Sequence, residues 1–288
     1  MSGKGSGLRA IVLGYVKRLI DDDVAGMSAE LAYRFMFATF PFAIFVVALG
    51  GFISSWLGIR DPSNRIIGAL GSDLPSNLVG PVQQQLEAAL SQTHPELLSV
   101  GALVTLYAAA TGMSSLMKAM NRAYGVRESR PLALRIVLAA VLTVLGGVAI
   151  VISFAAIVGG TLITHRLVDH AGLREIWPWL TLLRWPLAFA LLVLGVSAVL
   201  RRAPDFRTPW RWAALAATAF ALTWILATYA FGVYVATFAS YDATYGALAG
   251  VIVLMLWFYL TSFVLVCAAE LAALLVRLNA PQPSAPPD

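Results

Sequence analysis

Glu30, Arg34 and Glu270 are ionisable side chains set inside otherwise hydrocarbon-like sequence. Glu30 and Arg34 are spaced i, i+4 with the acid first, the favourable order for an ion pair on a helix. Glu270 ends a long run without a charge, from Ala243 to Ala269, and Leu271–Val276 follow it. Charged groups at such depth are costly, and they face a bundle interior or a water-filled cavity where they serve function. The competing account is that Arg34 reaches back to the headgroup layer and Glu30 neutralises it. Other chemistry is poorly represented. His94, His165 and His170 are the only histidines. The i, i+4, i+5 spacing of His165, Asp169 and His170 does not put three ligands on one helix face. Asp21-Asp22-Asp23 reads as a solvated acidic run flanking a helix, with a divalent-ion site as the alternative. Cys267 stands alone, so no intrachain disulfide forms. No phosphate-cradling Gly-x-x-x-x-Gly-Lys, nucleophile-elbow or cysteine-pair motif occurs. No catalytic residue, metal site or cofactor is assigned.

The elements that must hold these residues are long apolar blocks. Of 288 residues, 59% are hydrophobic and 12% charged, about half the charged fraction of a soluble domain. Blocks of roughly 20 residues span the ~30 Å hydrocarbon layer. The sequence therefore predicts an all-α integral membrane protein with six transmembrane helices. They fall near 32–56 (extended back to Val24), 97–117, 135–163, 179–200, 212–238 and 245–276. An amphipathic interfacial helix precedes them, with apolar residues at 8, 11, 12, 15, 16 and 19. A second amphipathic helix is outlined by Leu78, Val79, Val82, Leu86, Ala89 and Leu90. The resulting organisation is a tail and interfacial helix over 1–23, a six-helix membrane domain over 24–277 and a disordered tail over 278–288. No signal peptide is visible.

Lysine and arginine set the orientation. With the amino terminus inside, Lys4, Arg9, Lys17, Arg18, Arg34, Lys118, Arg122, Arg127, Arg130, Arg135, Arg201, Arg202, Arg207, Arg211 and Arg277 are cytoplasmic, 15 of the 20. This predicts a multi-pass bacterial inner-membrane protein with both termini in the cytoplasm. It explains the net charge of +5 as a topology signal, and no nucleic-acid partner is implied. Trp56, Trp177, Trp179, Trp210 and Trp212 fall at span ends, where aromatic anchors belong.

Four stretches together resemble the YihY/BrkB family of inner-membrane proteins, some of which carry the old label ribonuclease BN. They are Ala29-Glu-Leu-Ala-Tyr-Arg-Phe-Met-Phe-Ala-Thr-Phe-Pro41, Ser114-Ser-Leu-Met-Lys-Ala-Met-Asn-Arg-Ala-Tyr-Gly-Val-Arg-Glu128, Tyr245-Gly-Ala-Leu-Ala-Gly-Val-Ile-Val-Leu-Met-Leu-Trp-Phe-Tyr259 and Ala269-Glu-Leu271. Two positions depart from the family pattern: Ala268 stands where the family has glycine, and Leu200-Arg-Arg-Ala-Pro204 where it has Tyr-x-x-x-Pro. The resemblance implies a six-helix membrane protein of the kind often described as a transporter.

Residues on a substrate path or gate are then expected among Glu30, Tyr33, Arg34, Pro41, Asn121, Arg122, Tyr124, Tyr245, Trp257 and Glu270. On the expected topology Glu30, Arg34 and Glu270 share one membrane level. They form a cluster that is either an inward-facing gate or headgroup site, or a polar clamp closing the bundle. Pro41 removes a backbone hydrogen bond mid-span and allows a kink. Gly146-Gly147, Gly159-Gly160 and the Gly246/Gly250 pair mark expected close helix contacts. Tyr245, Trp257 and Tyr259 read as packing and interface anchors, with a ligand cage as the alternative. The basic loop from Met117 to Arg135 reads as positive-inside bias or as an attractor for anionic headgroups. Thr105, Tyr107, Thr111, Thr223, Thr228, Tyr229 and Tyr234 outline a polar path. The function read from these residues is a transporter or flippase-like protein for an anionic or amphipathic, lipid-like substrate. Membrane lipids are its surroundings, and a homo-oligomer is left open. The alternatives are a non-transporting envelope-integrity scaffold and, more weakly, a membrane-tethered ribonuclease.

Overall fold

A computed structural model describes residues 4–56, 95–146, 177–237 and 247–279, together with Gly80 and positions 83–84. Seven helices carry these residues: α1 Lys4–Asp21, α2 Val24–Trp56, α3 Pro95–Tyr124, α4 Leu132–Gly146, α5 Trp177–Arg202, α6 Trp210–Thr237 and α7 Ala247–Leu278. Val100–Tyr124, Trp185–Arg202, Trp210–Ala236 and Ala249–Leu278 are each long and apolar enough to cross a membrane. Apart from Gly80 and positions 83–84, the outer amphipathic helix near 78–90 lies outside the described residues, as do the second half of the third expected span, Tyr245, all three histidines and both chain ends.

α7 is the hub. It packs on α1, α2, α3 and α6; α2 packs on α3, and α5 on α6. One buried cluster joins Val24 and Leu31 of α2, Met117 and Met120 of α3, Ala139 of α4, Leu200 of α5, Ala213 and Ala217 of α6, and Ala269 and Ala273 of α7. Among the described residues, burial is thus concentrated at the end of the bundle that holds α1, the 125–131 and 203–209 connections and the carboxyl end of α7. Between lipid-bathed helices the hydrophobic effect offers no net gain, so close packing of small side chains has to do the joining. Alanines supply it: Ala213, Ala216, Ala217, Ala269 and Ala272 are fully buried.

Of the glycines expected at close contacts, the two described ones do not make them. A Cβ at Gly146 or Gly250 would meet nothing within 4 Å, whereas one at Gly112 would meet the Phe35 ring at 3.3 Å, where α3 approaches α2. Gly147, Gly159, Gly160 and Gly246 are outside the described residues.

Local chemistry sets the helix ends. Asp23, in the left-handed region at φ 53°, turns the chain between α1 and α2 and accepts a hydrogen bond from the Gly26 N–H at 3.1 Å. Asp side chains tolerate that conformation and cap helices. α3 runs past the expected end at Met117 because Ala119, Met120 and Ala123 continue its buried stripe. It stops at Gly125 (φ 65°), with Gly125 N–H donating to Arg122 O and Val126 N–H to Asn121 O, both at 2.9 Å. That pair of bonds is the Schellman arrangement, which needs a residue content at positive φ. The basic loop is accordingly shorter than the sequence predicts. α2 continues helically through Pro41. Hydroxyls inside the spans bond back to carbonyls one turn earlier, Ser28 to Val24, Thr39 to Phe35, Ser197 to Val193 and Thr218 to Ala214, as polar groups in hydrocarbon must.

Candidate functional site

Two constellations lie at the buried end. The first joins the connections flanking α4 and α6. Arg130 donates to both oxygens of Glu128, Nε to Oε1 at 2.6 Å and Nη2 to Oε2 at 3.1 Å, and Nη2 also donates to Ala203 O at 2.9 Å. Asn121 bridges the same groups: its Nδ2 donates to Glu128 at 2.9 Å and its Oδ1 accepts from the Asp205 N–H at 2.6 Å. Asp205 in turn accepts from the Ser129 N–H at 2.7 Å and the Ser129 hydroxyl at 2.5 Å. Burial works against charge on Glu128, but the bonds from Arg130 and Asn121 outweigh it and hold the carboxyl below the usual range. The Ser129 bonds do the same for Asp205. Beside them Thr208 donates to the Tyr124 hydroxyl at 2.8 Å, and Tyr124 stacks on Phe206 at 5.3 Å. Every polar group named here has a partner, which makes the network a clamp.

The second constellation surrounds Glu270. Its side chain is fully buried, no hydrogen-bond donor reaches either carboxylate oxygen, and the Asp22 carboxyl lies against it. The charged groups acting on it are Asp22 and Arg18 from the α1 end and Arg277 from α7. The Arg18 Nη1 is likewise buried without a partner. α1 is tied down next to them by the Tyr15 hydroxyl, which donates to Cys267 O at 2.7 Å; burial, with Cys267 alongside, pushes the Tyr15 phenol up and keeps it neutral. Tyr15 and Cys267 also border a groove of about 270 Å³ between α6 and α7, lined further by Phe220, Thr223, Phe263 and Leu271.

The expected cluster of Glu30, Arg34 and Glu270 separates into two sets of contacts. Glu30 accepts from Arg34 Nε at 2.9 Å and from the Ser115 hydroxyl at 2.8 Å, and both ionic side chains stay partly exposed (33% and 48%). They join α2 to α3, whereas Glu270 looks to α1. The reason is helix facing: Arg34 lies one turn beyond Glu30 on α2 and the α3 side takes both, while α1 fills the space over α7. Of the other expected residues, Asn121 and Tyr124 are in the clamp. Arg122 sits at the α1 corner, 3.4 Å from Asp21 O and 3.7 Å from the Asp22 carboxylate. With Asp23 capping α2, the aspartate run is engaged in structure. Tyr33 is exposed and packs against Phe37 with the rings tilted, centroids 4.6 Å apart. Trp257 packs edge-on against Trp224 at 6.2 Å. The polar path does not form as outlined, because Tyr107, Tyr229 and Tyr234 lie on exposed faces. Glu128, Arg130, Asp205, Thr208, Tyr15, Arg18 and Asp22 were not among the expected site residues. An asparagine seven residues before a glutamate, across a helix-ending glycine, was the available signal for the first group.

Long apolar helices closed at one end by polar connections define a helical membrane protein. The chain belongs to the BrkB family: it matches the family described as Virulence factor BrkB over residues 15–288. It is 30% identical over 250 residues to the ribonuclease-like protein YfkH of Bacillus subtilis, covering 86% of this chain and 88% of that one. It is also 30% identical to UPF0761 membrane proteins of Paraburkholderia xenovorans (64% of this chain, 41% of the relative) and Tolumonas auensis (62% and 57%). The chain thus spans about half the length of those two relatives. No solved structure matches it.

Proposed function

We propose that this is a six-span inner-membrane transporter or flippase-like protein for an amphipathic substrate, with both termini and the clamped end of the bundle in the cytoplasm. The observation that carries the reading is the apolar groove between α6 and α7, one helical turn from a buried carboxyl that faces another acid, Asp22, and no hydrogen-bond donor. A static bundle gains nothing by burying an unsatisfied acid, since the cost of a lost partner is about 1–3 kcal/mol and more for a charge. A carrier retains such a group because its partner arrives with the substrate. The charge bias of the connections supports the orientation. The test is transbilayer movement of labelled lipid in proteoliposomes. Movement should depend on the protein and fall at least tenfold in Glu270→Gln, with helicity and elution volume unchanged. Protein-independent movement, or a fully active Glu270→Gln protein, refutes it.

The second reading, a non-transporting scaffold, is favoured by the Asn121–Glu128–Arg130–Asp205 clamp, whose complete satisfaction is that of a static joint. It requires clamp variants to disrupt the envelope while lipid movement by purified protein is absent. The nuclease reading has no comparable support: Asp23 is used in capping and Asp22 in pairing with Arg122, and the described residues hold no group of three His, Cys, Asp or Glu suited to a metal.

A further inference from the structure

The chemistry around Glu270 specifies more than an amphipathic ligand, given the transport reading in which the groove is a substrate site. Glu270 offers two buried acceptors that no donor reaches and that face a second acid, Asp22, and Arg18 offers a buried donor without an acceptor. Tyr15 and Cys267 line the groove, and Arg18 and Glu270 each follow them by three residues, ~4.5 Å along the helix axis and on the same face. Charge of both signs surrounds Glu270, the Asp22 carboxyl against it and Arg18 and Arg277 close by, and Asp22 is shared with Arg122 at 3.7 Å. A purely anionic headgroup would have to approach two carboxylates. A purely cationic one would leave Arg18 without its acceptor. The groove walls, Phe220, Phe263 and Leu271 among them, offer water almost nothing to bond, and the neighbouring solvent in the bilayer is acyl chain.

We infer that the site takes a zwitterionic, amine-bearing phospholipid, with an acyl chain in the α6–α7 groove, the phosphate on Arg18 and the ammonium on Glu270. Guanidinium and phosphate match in geometry and charge, and an ammonium satisfies the carboxylate with up to three N–H donors. α1 covers the headgroup end, so the headgroup enters as α1 lifts from α7. The basic residues on α1, Arg9 and Lys17, attract phosphate to that edge.

The test uses the full-length protein in detergent, equilibrated with vesicles of equimolar phosphatidylethanolamine, phosphatidylglycerol and phosphatidylcholine, followed by native mass spectrometry of retained lipid. The amine-bearing lipid should be retained over each of the others on the order of tenfold, the value of one charge-assisted hydrogen bond. Glu270→Gln should bring its ratio to the trimethylated lipid close to one. Arg18→Gln should weaken retention of all three. Thr223→Trp, which fills the groove without touching the headgroup end, should abolish retention with the preference of any residual lipid unchanged. Preferential retention of phosphatidylglycerol, equal retention of all three, or a preference that survives Glu270→Gln overturns the headgroup assignment and leaves the transport reading standing. Lipid movement lost in Thr223→Trp but unselective among headgroups separates the two in the same way. No retained lipid, together with no protein-dependent movement, overturns both. Helicity and elution volume of each variant exclude misfolding as the cause.

Discussion

Replacing Arg130 with methionine keeps the length and apolar stem of the side chain while deleting its guanidinium. Two close bonds to Glu128 and one to Ala203 O are lost, and Asn121 remains as the Glu128 partner. Bonds to charged groups contribute about 1.5–3 kcal/mol each when protected from water. Here the two side chains are 13% and 19% exposed, so screening reduces the sum, and removing one member leaves the other without compensation. Arg130→Met should therefore destabilise the protein by about 3 kcal/mol, a fall in Tm of roughly 6–12 °C by the scaling for chains of 150–250 residues. The assay is thermal unfolding in detergent followed by tryptophan fluorescence, with Glu128→Gln and the double variant completing a cycle. The double variant should fall short of the sum of the singles by about 1 kcal/mol or more, the mark of directly coupled partners. A fall in Tm below about 2 °C, or strict additivity, would show that the 125–131 and 203–209 connections are not held together by this ion pair.

The same clamp makes stability pH-dependent. Glu128 and Asp205 hold native values below the ordinary carboxylate range, so their contribution is complete above ~pH 4.3 and is lost as pH falls through the native values; acid unfolding should be blunted in Glu128→Gln. At the α1–α2 corner, Asp23→Ala should cost about 1–2 kcal/mol by losing the cap and the short polar side chain that tolerates positive φ, while Asp23→Asn should be close to neutral in a denaturation midpoint. Ala273→Leu, buried at the bundle centre, should overpack the core by about 1–3 kcal/mol, whereas Gly250→Leu, facing open space, should leave the unfolding midpoint within about 0.5 kcal/mol. Tyr15→Phe removes the donor to Cys267 O and should raise hydrogen exchange across 9–20 without altering exchange in 264–273; equal change in both segments would contradict a local role.

The helices were legible because the lipid solvent demands long charge-poor runs, and Trp56, Trp177 and Trp210 stand at the observed helix ends. Glu270 was legible for the same reason, as a charge with no neighbours in sequence. Its surroundings were not. A periodic pattern shows that α1 is amphipathic but not which face docks, and Tyr15 and Leu19 turn to the bundle while Ile11, Leu13 and Ile20 remain exposed. The clamp was hidden more deeply. Arg130 reads as one more basic residue in a positive loop until Asp205, 75 positions on, is brought beside it at 3.6 Å. Gly250 misled as a sign of close helix approach, because alanine does that work in α6 and α7.

The Asp23 corner gives α1 a mechanical character. α1 and α2 are joined by two residues, so α1 can move only by pivoting near Asp23, while α2 is anchored along α3. Tyr15 lies eight residues from that fulcrum, ~12 Å along the helix, and a rotation of about 10° would carry its hydroxyl ~2 Å, enough to break its bond to Cys267. The free arm exposes Ile11, Val12 and Leu13, the face that an interfacial helix would set into the leaflet. A change in lateral pressure there acts on the long end of a lever whose short end covers Glu270.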